Sequence, residues 1–109
     1  MKLLKIRNRN FFVEVADTWW KRTKGLMFKK TLAPFHGLLI EFPKTGKYGI
    51  WMLFMKFPLD LIFLDESMQV VDAIHNVPPI SLLRPSTWKI YKPRRPARYV
   101  LEINAENKK

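Results

Sequence analysis

The chain is predicted to fold as a mostly β domain, an antiparallel barrel or sandwich with one short helix. Three observations predict it. Short apolar-rich segments recur at intervals of about ten residues, with turn residues between them. Several alternate apolar and polar positions with the period of a half-buried strand. Only one span, Trp19 to Lys24, carries helix punctuation at both ends. At 109 residues, with 48% hydrophobic and 14% aromatic content, the chain has material for a packed core in one domain covering residues 1–109.

Taken in order, Lys2 to Arg7 and Phe11 to Ala16 read as strands, and Asn8-Arg9-Asn10 between them as a hairpin turn, since asparagine tolerates positive φ. Asp17 or Thr18 offers an N-cap and Gly25 a C-terminal stop, leaving about two turns of helix between them. Gly37 to Phe42 returns to strand, and Pro43-Lys44-Thr45-Gly46 reads as a turn. Gly49 to Phe57 and Leu59 to Leu64 are expected to be two buried strands meeting at a bend at Pro58, because twelve of the fifteen residues from Trp51 to Asp65 are apolar. Met68 to His75 and Arg98 to Asn104 alternate as strands. The intervening stretch, with Pro78, Pro79, Pro85, Pro93 and Pro96, is expected to be edge or loop, since proline donates nothing to a ladder. The tail from about residue 105 to 109 is expected to fray.

Composition removes several chemistries. With no cysteine there is no disulfide, thiolate zinc site or cysteine nucleophile, a composition that suits a reducing compartment, and a cytoplasmic protein is expected. No run reaches the ~18 apolar residues of a membrane helix, so membrane insertion is not expected, and Leu3-Leu4 is too short for a signal-peptide core. The only histidines, His36 and His75, stand without partners at metal-ligand or triad spacing. No metal, cofactor or catalytic residue is assigned.

The net charge of +11 is unevenly spread. From Ala73 to Leu101 there is no acid, against Arg84, Lys89, Lys92, Arg94, Arg95 and Arg98. From Thr18 to Ile40 there is again no acid, against Lys21, Arg22, Lys24, Lys29 and Lys30. Lys89, Tyr91, Lys92, Arg94, Arg95 and Arg98 mix cations with an aromatic face and form a candidate contact surface for nucleic acid or another polyanion. No reader motif accompanies them, and a solvated loop explains the same residues.

A second candidate site is an apolar pocket. Asp60 is a carboxylate inside an apolar run, and burial of an unpaired charge is costly. Two accounts stand: a clamp with Arg22, or a turn in which Asp60 accepts backbone N–H bonds after Pro58. Trp51 and Met52, with the adaptable Met27, either line a ligand pocket with Arg22 and Asp60 or fill the core.

The blocks Arg22-x-x-Gly25-Leu26-Met27-Phe28, Gly37-Leu38-Leu39-x-x-Phe42, Trp51-Met52, Pro58-Leu59-Asp60-Leu61-Ile62-Phe63 and Tyr99-Val100-Leu101-Glu102 occur in this order. Together they resemble the domain-of-unknown-function family numbered 192, over about Asp17 to Ile103. The resemblance implies a compact, jelly-roll-like β fold and no established activity. Many members of that family carry lysine and asparagine where this chain has Leu53 and Phe54, and a glycine after the final block, where this chain has Asn104-Ala105-Glu106. Many also begin with a leader peptide, which is not expected here. Three functional readings follow: a non-enzymatic binding or accessory domain of unknown ligand and oligomeric state, a polyanion binder, and a small-molecule enzyme using Asp60 and Arg22.

Overall fold

The computed structural model describes residues 2–52, 54–81 and 83–105. Leu53 and the tail beyond Ala105 lie outside the described residues. Strands β1 (Lys2–Ile6) and β2 (Arg9–Ala16) form the expected hairpin, but the turn is Arg7-Asn8, one residue earlier than the asparagine pair suggests. Both turn residues have positive φ, 49° and 65°. That is the requirement of a two-residue turn matched to strand twist.

Helix α1 (Trp19–Lys24) has the expected bounds. Thr18 Oγ1 accepts the Lys21 N–H at 3.2 Å, and Gly25, at φ 51°, donates its N–H to the Lys21 carbonyl at 2.9 Å. After this helix, β3 (His36–Gly46) runs parallel to β2. A parallel neighbour needs a crossover of about a dozen residues or more, and the segment containing α1 supplies it. Pairing elsewhere is antiparallel, between β3 and β8 (Ala97–Asn104), β8 and β5 (Leu59–Leu64), and β5 and β6 (Val70–Val77). The expected turn at Pro43 to Gly46 is instead the irregular end of β3.

The strands form one six-stranded sheet, ordered β1-β2-β3-β8-β5-β6, and a separate ribbon of β4 (Ile50–Trp51) with β7 (Ile90–Tyr91). The expected barrel is therefore corrected: β1 and β6 remain edges, so the sheet does not close. Nor, among the described residues, are there two comparable sheets facing each other as in a sandwich. The stretch before Pro58 is also corrected. Among its described residues only Ile50 and Trp51 are strand, and Trp51 and Phe54 are exposed rather than buried. Pro58 removes a ladder donor, and Phe54 has left-handed backbone at φ 59°, a conformation that does not continue a strand.

Alternation on the central strands splits the core between the two sheet faces. On one, Ile6, Phe11, Val13, Leu39, Ile62, Leu64, Leu101 and Ile103 pack together. On the other, Leu38, Ile40, Leu59, Leu61, Phe63 and Val100 meet Leu26, Ile50, Met52, Met55 and Tyr91 from the loops and ribbon. Gly37 fits this geometry because a Cβ there would come within 2.8 Å of the Glu102 carbonyl oxygen on β8. Among the described residues, no helix is long and apolar enough to cross a membrane.

Candidate functional site: an apolar cavity over a buried carboxylate

The second face is incompletely covered. Between α1, the end of β3 and the β4 segment lies a cavity of about 580 Å³. Leu26, Met27, Ile40, Met55 and Trp51 contribute apolar wall, and the parallel rings of Phe42 and Tyr48, 3.9 Å apart, another side. Trp19 and Trp51 are largely exposed at its border. Helix α1 brings Arg22 and Lys24 to the same wall.

Among the described residues, one carboxylate lines this cavity. Glu102 is only 5% exposed. On β8 it pairs with Leu38 on one side and Leu61 on the other, both members of the cavity-side core. Its carboxylate makes no hydrogen bond or ion pair with any described residue. A Cβ built on Gly25 would lie 3.7 Å from Glu102 Oε1 and 3.9 Å from the Arg22 carbonyl oxygen, so the acid sits against the end of α1. Burial pushes its pKa up to about 7, because the anion loses much of its hydration and no described donor replaces it. A carboxyl group that titrates near neutrality in an apolar cavity can act as hydrogen-bond donor, acceptor or counter-ion.

Three of the five pocket residues expected from sequence, Arg22, Met27 and Trp51, meet here. Met52 does not. It is completely buried in the adjoining core, where its carbonyl accepts N–H groups of Met55 and Ile80. Asp60 does not either. It follows Leu59 and precedes Leu61, which face the cavity-side core, and pairs with Ile103 of the opposite core. Strand alternation thus turns it to the other face. There Oδ1 accepts the Asn76 N–H at 2.8 Å, and Oδ2 lies 3.3 Å from His75 Nδ1. Asn76 has φ 55° and sits in an irregularity between Leu59↔Val77 and Leu61↔Ile74, so Asp60 secures a bulge of β6.

The Asp60–Arg22 clamp is accordingly corrected. Arg22 Nη1 instead donates to the carbonyl oxygens of Asp17 and Glu41, at 2.8 and 3.1 Å, fastening α1 to β3. The backbone-acceptor account of Asp60 has the right kind of bond but the wrong donor, which comes from the neighbouring strand. Glu102 was hidden in sequence by its place in an alternating strand, where it takes the side that also carries Arg98 and Val100. The available signal was Val100, two residues earlier on the same side of the strand, which with Leu101 and Ile103 makes a nearly continuous apolar run of the kind that strands covered on both faces carry.

The basic C-terminal third is dispersed in its pairing. Asp72 accepts Arg94 Nε and Nη2 at 3.2 and 2.9 Å, together with the backbone N–H groups of Arg94 and Ala73, both at 2.8 Å. The Arg94 side-chain bonds hold the Asp72 carboxyl below its ordinary range despite burial. Arg98 lies 3.6 Å from Glu41 and 3.7 Å from Glu66 and donates to the Phe42 carbonyl. Lys89 sits 5.2 Å from the Tyr91 ring centroid, while the ring's hydroxyl is buried with no hydrogen-bond partner among the described residues. Lys92 and Arg95 are exposed. Among the described residues no cluster of three or more His, Cys, Asp or Glu side chains could hold a metal ion.

Comparison with known proteins agrees with this architecture. The family model DUF192, "Uncharacterized ACR", matches residues 2–109. UPF0127 protein PH1112 of Pyrococcus horikoshii is 38% identical over 92 residues, covering 83% of this chain and 70% of that protein. UPF0127 protein PF1050 of Pyrococcus furiosus is 36% identical, covering 83% and 69%. A Sinorhizobium meliloti 1021 crystal structure, provisionally described as a transcription regulator, superposes with a TM-score of 0.80 at 32% identity, over 94% of this chain and 77% of that one. A protein of unknown function from Novosphingobium aromaticivorans superposes at 0.79 with 28% identity, covering 89% and 65%. This chain belongs to the uncharacterised DUF192 family, whose curated relatives here carry the name UPF0127.

Proposed function

We propose that this chain is a cytosolic, non-enzymatic binding protein that holds a small, largely apolar molecule in the cavity between α1 and β4. The cavity itself carries the reading. Its volume of about 580 Å³ falls within the range of small-molecule sites, roughly 300–1,000 Å³. Its walls are mainly apolar and aromatic, with few polar groups, the composition such sites share. The cytosolic part of the proposal rests on the cysteine-free composition.

The neutral dye N-phenyl-1-naphthylamine, whose emission rises in apolar surroundings, tests the reading. The protein is expected to enhance its fluorescence saturably. Met27→Trp, which fills the cavity from a half-buried wall position, is expected to weaken binding at least tenfold. Absence of saturable binding, or equal binding by the filled variant, would overturn the proposal.

A second reading, polyanion binding, draws support from the provisional description of the S. meliloti relative and from the exposed cations Lys89, Lys92 and Arg95 beside exposed Trp88. On this reading Arg94 and Arg98, which face carboxylates, contribute less than their charges suggest. Affinity for a labelled single strand should fall linearly in log–log form with salt, and serine at Lys89, Lys92 and Arg95 should flatten the slope by up to about 0.7 per lost contact. No binding at low salt ends it.

A further inference from the structure

We infer that the cavity selects organic amines, molecules with an apolar or aromatic body and one ammonium group, and that Glu102 is the counter-ion that receives the ammonium. The inference rests on the small-molecule reading above and names its ligand class. Three features of the cavity converge on it.

The first is an unsatisfied acceptor. Glu102 is about nineteen-twentieths buried, yet no described side chain or backbone N–H bonds to its carboxylate. Its neighbours in register, Leu38 and Leu61, are apolar. A buried carboxylate without donors is a standing cost to the fold that a cationic partner would remove. Asp72 and Asp60, the other buried carboxylates on the sheet, both have donors.

The second is a neighbouring acceptor. The point a Gly25 Cβ would occupy lies 3.7 Å from Glu102 Oε1 and 3.9 Å from the Arg22 carbonyl oxygen. An ammonium with several N–H groups entering at this end of the cavity finds two oxygen acceptors close to one another, whereas a carboxylate entering there is repelled by the Glu102 anion. The third is the aromatic wall. Phe42, Tyr48, Trp19 and Trp51 border the same space. Ring faces attract cations within about 6 Å and accept an apolar body equally well.

Among the described residues, the charged groups facing the cavity besides Glu102 are Arg22 and Lys24, both on α1, with Tyr48 the remaining titratable side chain. Arg22 is engaged by the carbonyls of Asp17 and Glu41, turning its charge toward the α1–β3 junction. Lys24 is exposed at the border. Burial alone accounts for the raised Glu102 pKa, with no cation pulling it down. The acid end of the cavity is thus available to an incoming cation.

Phenethylamine, 2-phenylethanol and 3-phenylpropionate share a ring and differ in charge, and tryptophan fluorescence or calorimetry can follow each. The amine is expected to bind at least tenfold tighter than the alcohol, and the carboxylate weakest. Because the amine needs the Glu102 anion, whose pKa lies at about 7, its affinity should fall about a hundredfold from pH 8 to pH 5, while alcohol binding stays nearly flat. Glu102→Gln should remove the amine preference and its pH dependence while alcohol and dye binding persist. Alcohol bound as tightly as amine, or an amine preference surviving in Glu102→Gln, overturns the inference and leaves the cavity reading standing. Failure of all three probes together with the neutral dye overturns both.

Discussion

Asp72 on β6 and Glu102 on β8 are buried to nearly the same degree, 6% and 5% exposed, in the same sheet. Their surroundings are opposite. Asp72 is ringed by two backbone N–H groups and the Arg94 fork, and its acidity is strengthened. Glu102 has Leu38 and Leu61 beside it, no donor among the described residues, and a pKa raised to about 7. Both are covered from solvent, but Glu102 lies deeper in the protein and only Asp72 has donors, so depth and donors together make the difference. A carboxylate satisfied by its own chain fastens the fold. One left unsatisfied at a cavity wall weakens the fold and is open to a ligand. Asp60 belongs with Asp72, since it holds the Asn76 N–H of the β6 bulge.

The largest effect should come from removing the unsatisfied member. Glu102 has a folded-state pKa of about 7 against an ordinary 4.5. The neutral acid is therefore the form the fold prefers. That contribution to stability is complete below about pH 4.5 and is lost as pH rises through 7. The difference corresponds to roughly 3 kcal/mol, at about 1.36 kcal/mol per pKa unit. Glu102→Gln is expected to stabilise the free protein by up to about that amount at pH 8.5 and to change little at pH 4.5. Urea midpoints at the two pH values decide it; equal shifts at both would show that Glu102 is not held neutral by the fold.

Asp72→Asn should act with the opposite sign. It strips the charge from a carboxylate that accepts several N–H bonds, and a loss of about 2 kcal/mol at pH 7 is expected. Because the Asp72 pKa is lowered on folding, its contribution is present above the ordinary carboxylate range and is lost as pH falls through the folded value. The variant should therefore approach wild type in strong acid, where Glu102→Gln also has no advantage. Chemical denaturation at pH 7 showing both variants shifted in the same direction would break the contrast between the two carboxylates.

The parts of the fold legible in the sequence are those set by local chemistry. Thr18 and Gly25 fix both ends of α1, and the alternation of residues 98 to 104 announces β8. The misread parts depend on distant partners. Pairing of β2 with β3 is parallel because the chain crosses over through α1, which no alternation pattern encodes. The apolar run before Pro58 looks like core, yet Trp51 and Phe54 stay at the surface, where Phe54 stacks on Phe28 at 4.9 Å. Asp60 stood out because it interrupts an apolar run. Glu102 did not, since a glutamate in an alternating strand is the ordinary solvent-facing pattern. Only the arrival of Leu26, Met55 and α1 over that face makes it a buried group.

The smallest effect expected is a coupling, between a pair that the sequence suggested and the geometry separates. Arg22 bonds to carbonyls of Asp17 and Glu41 at the cavity border, while Asp60 serves the β6 bulge on the other sheet face. Asp60→Ala is expected to cost about 2 kcal/mol, because it leaves the Asn76 N–H without its acceptor. Arg22→Ala is expected to cost about 1 kcal/mol through the loosened α1–β3 junction. Sites without shared partners combine additively to within about 0.5 kcal/mol, so the double variant should lose the sum of the two. Midpoints in urea for the four proteins of this cycle give the coupling directly. A coupling above about 1 kcal/mol would mean that the two residues share a network, and Asp60 would then have to be counted with Glu102 at the cavity rather than with Asp72 in the scaffold.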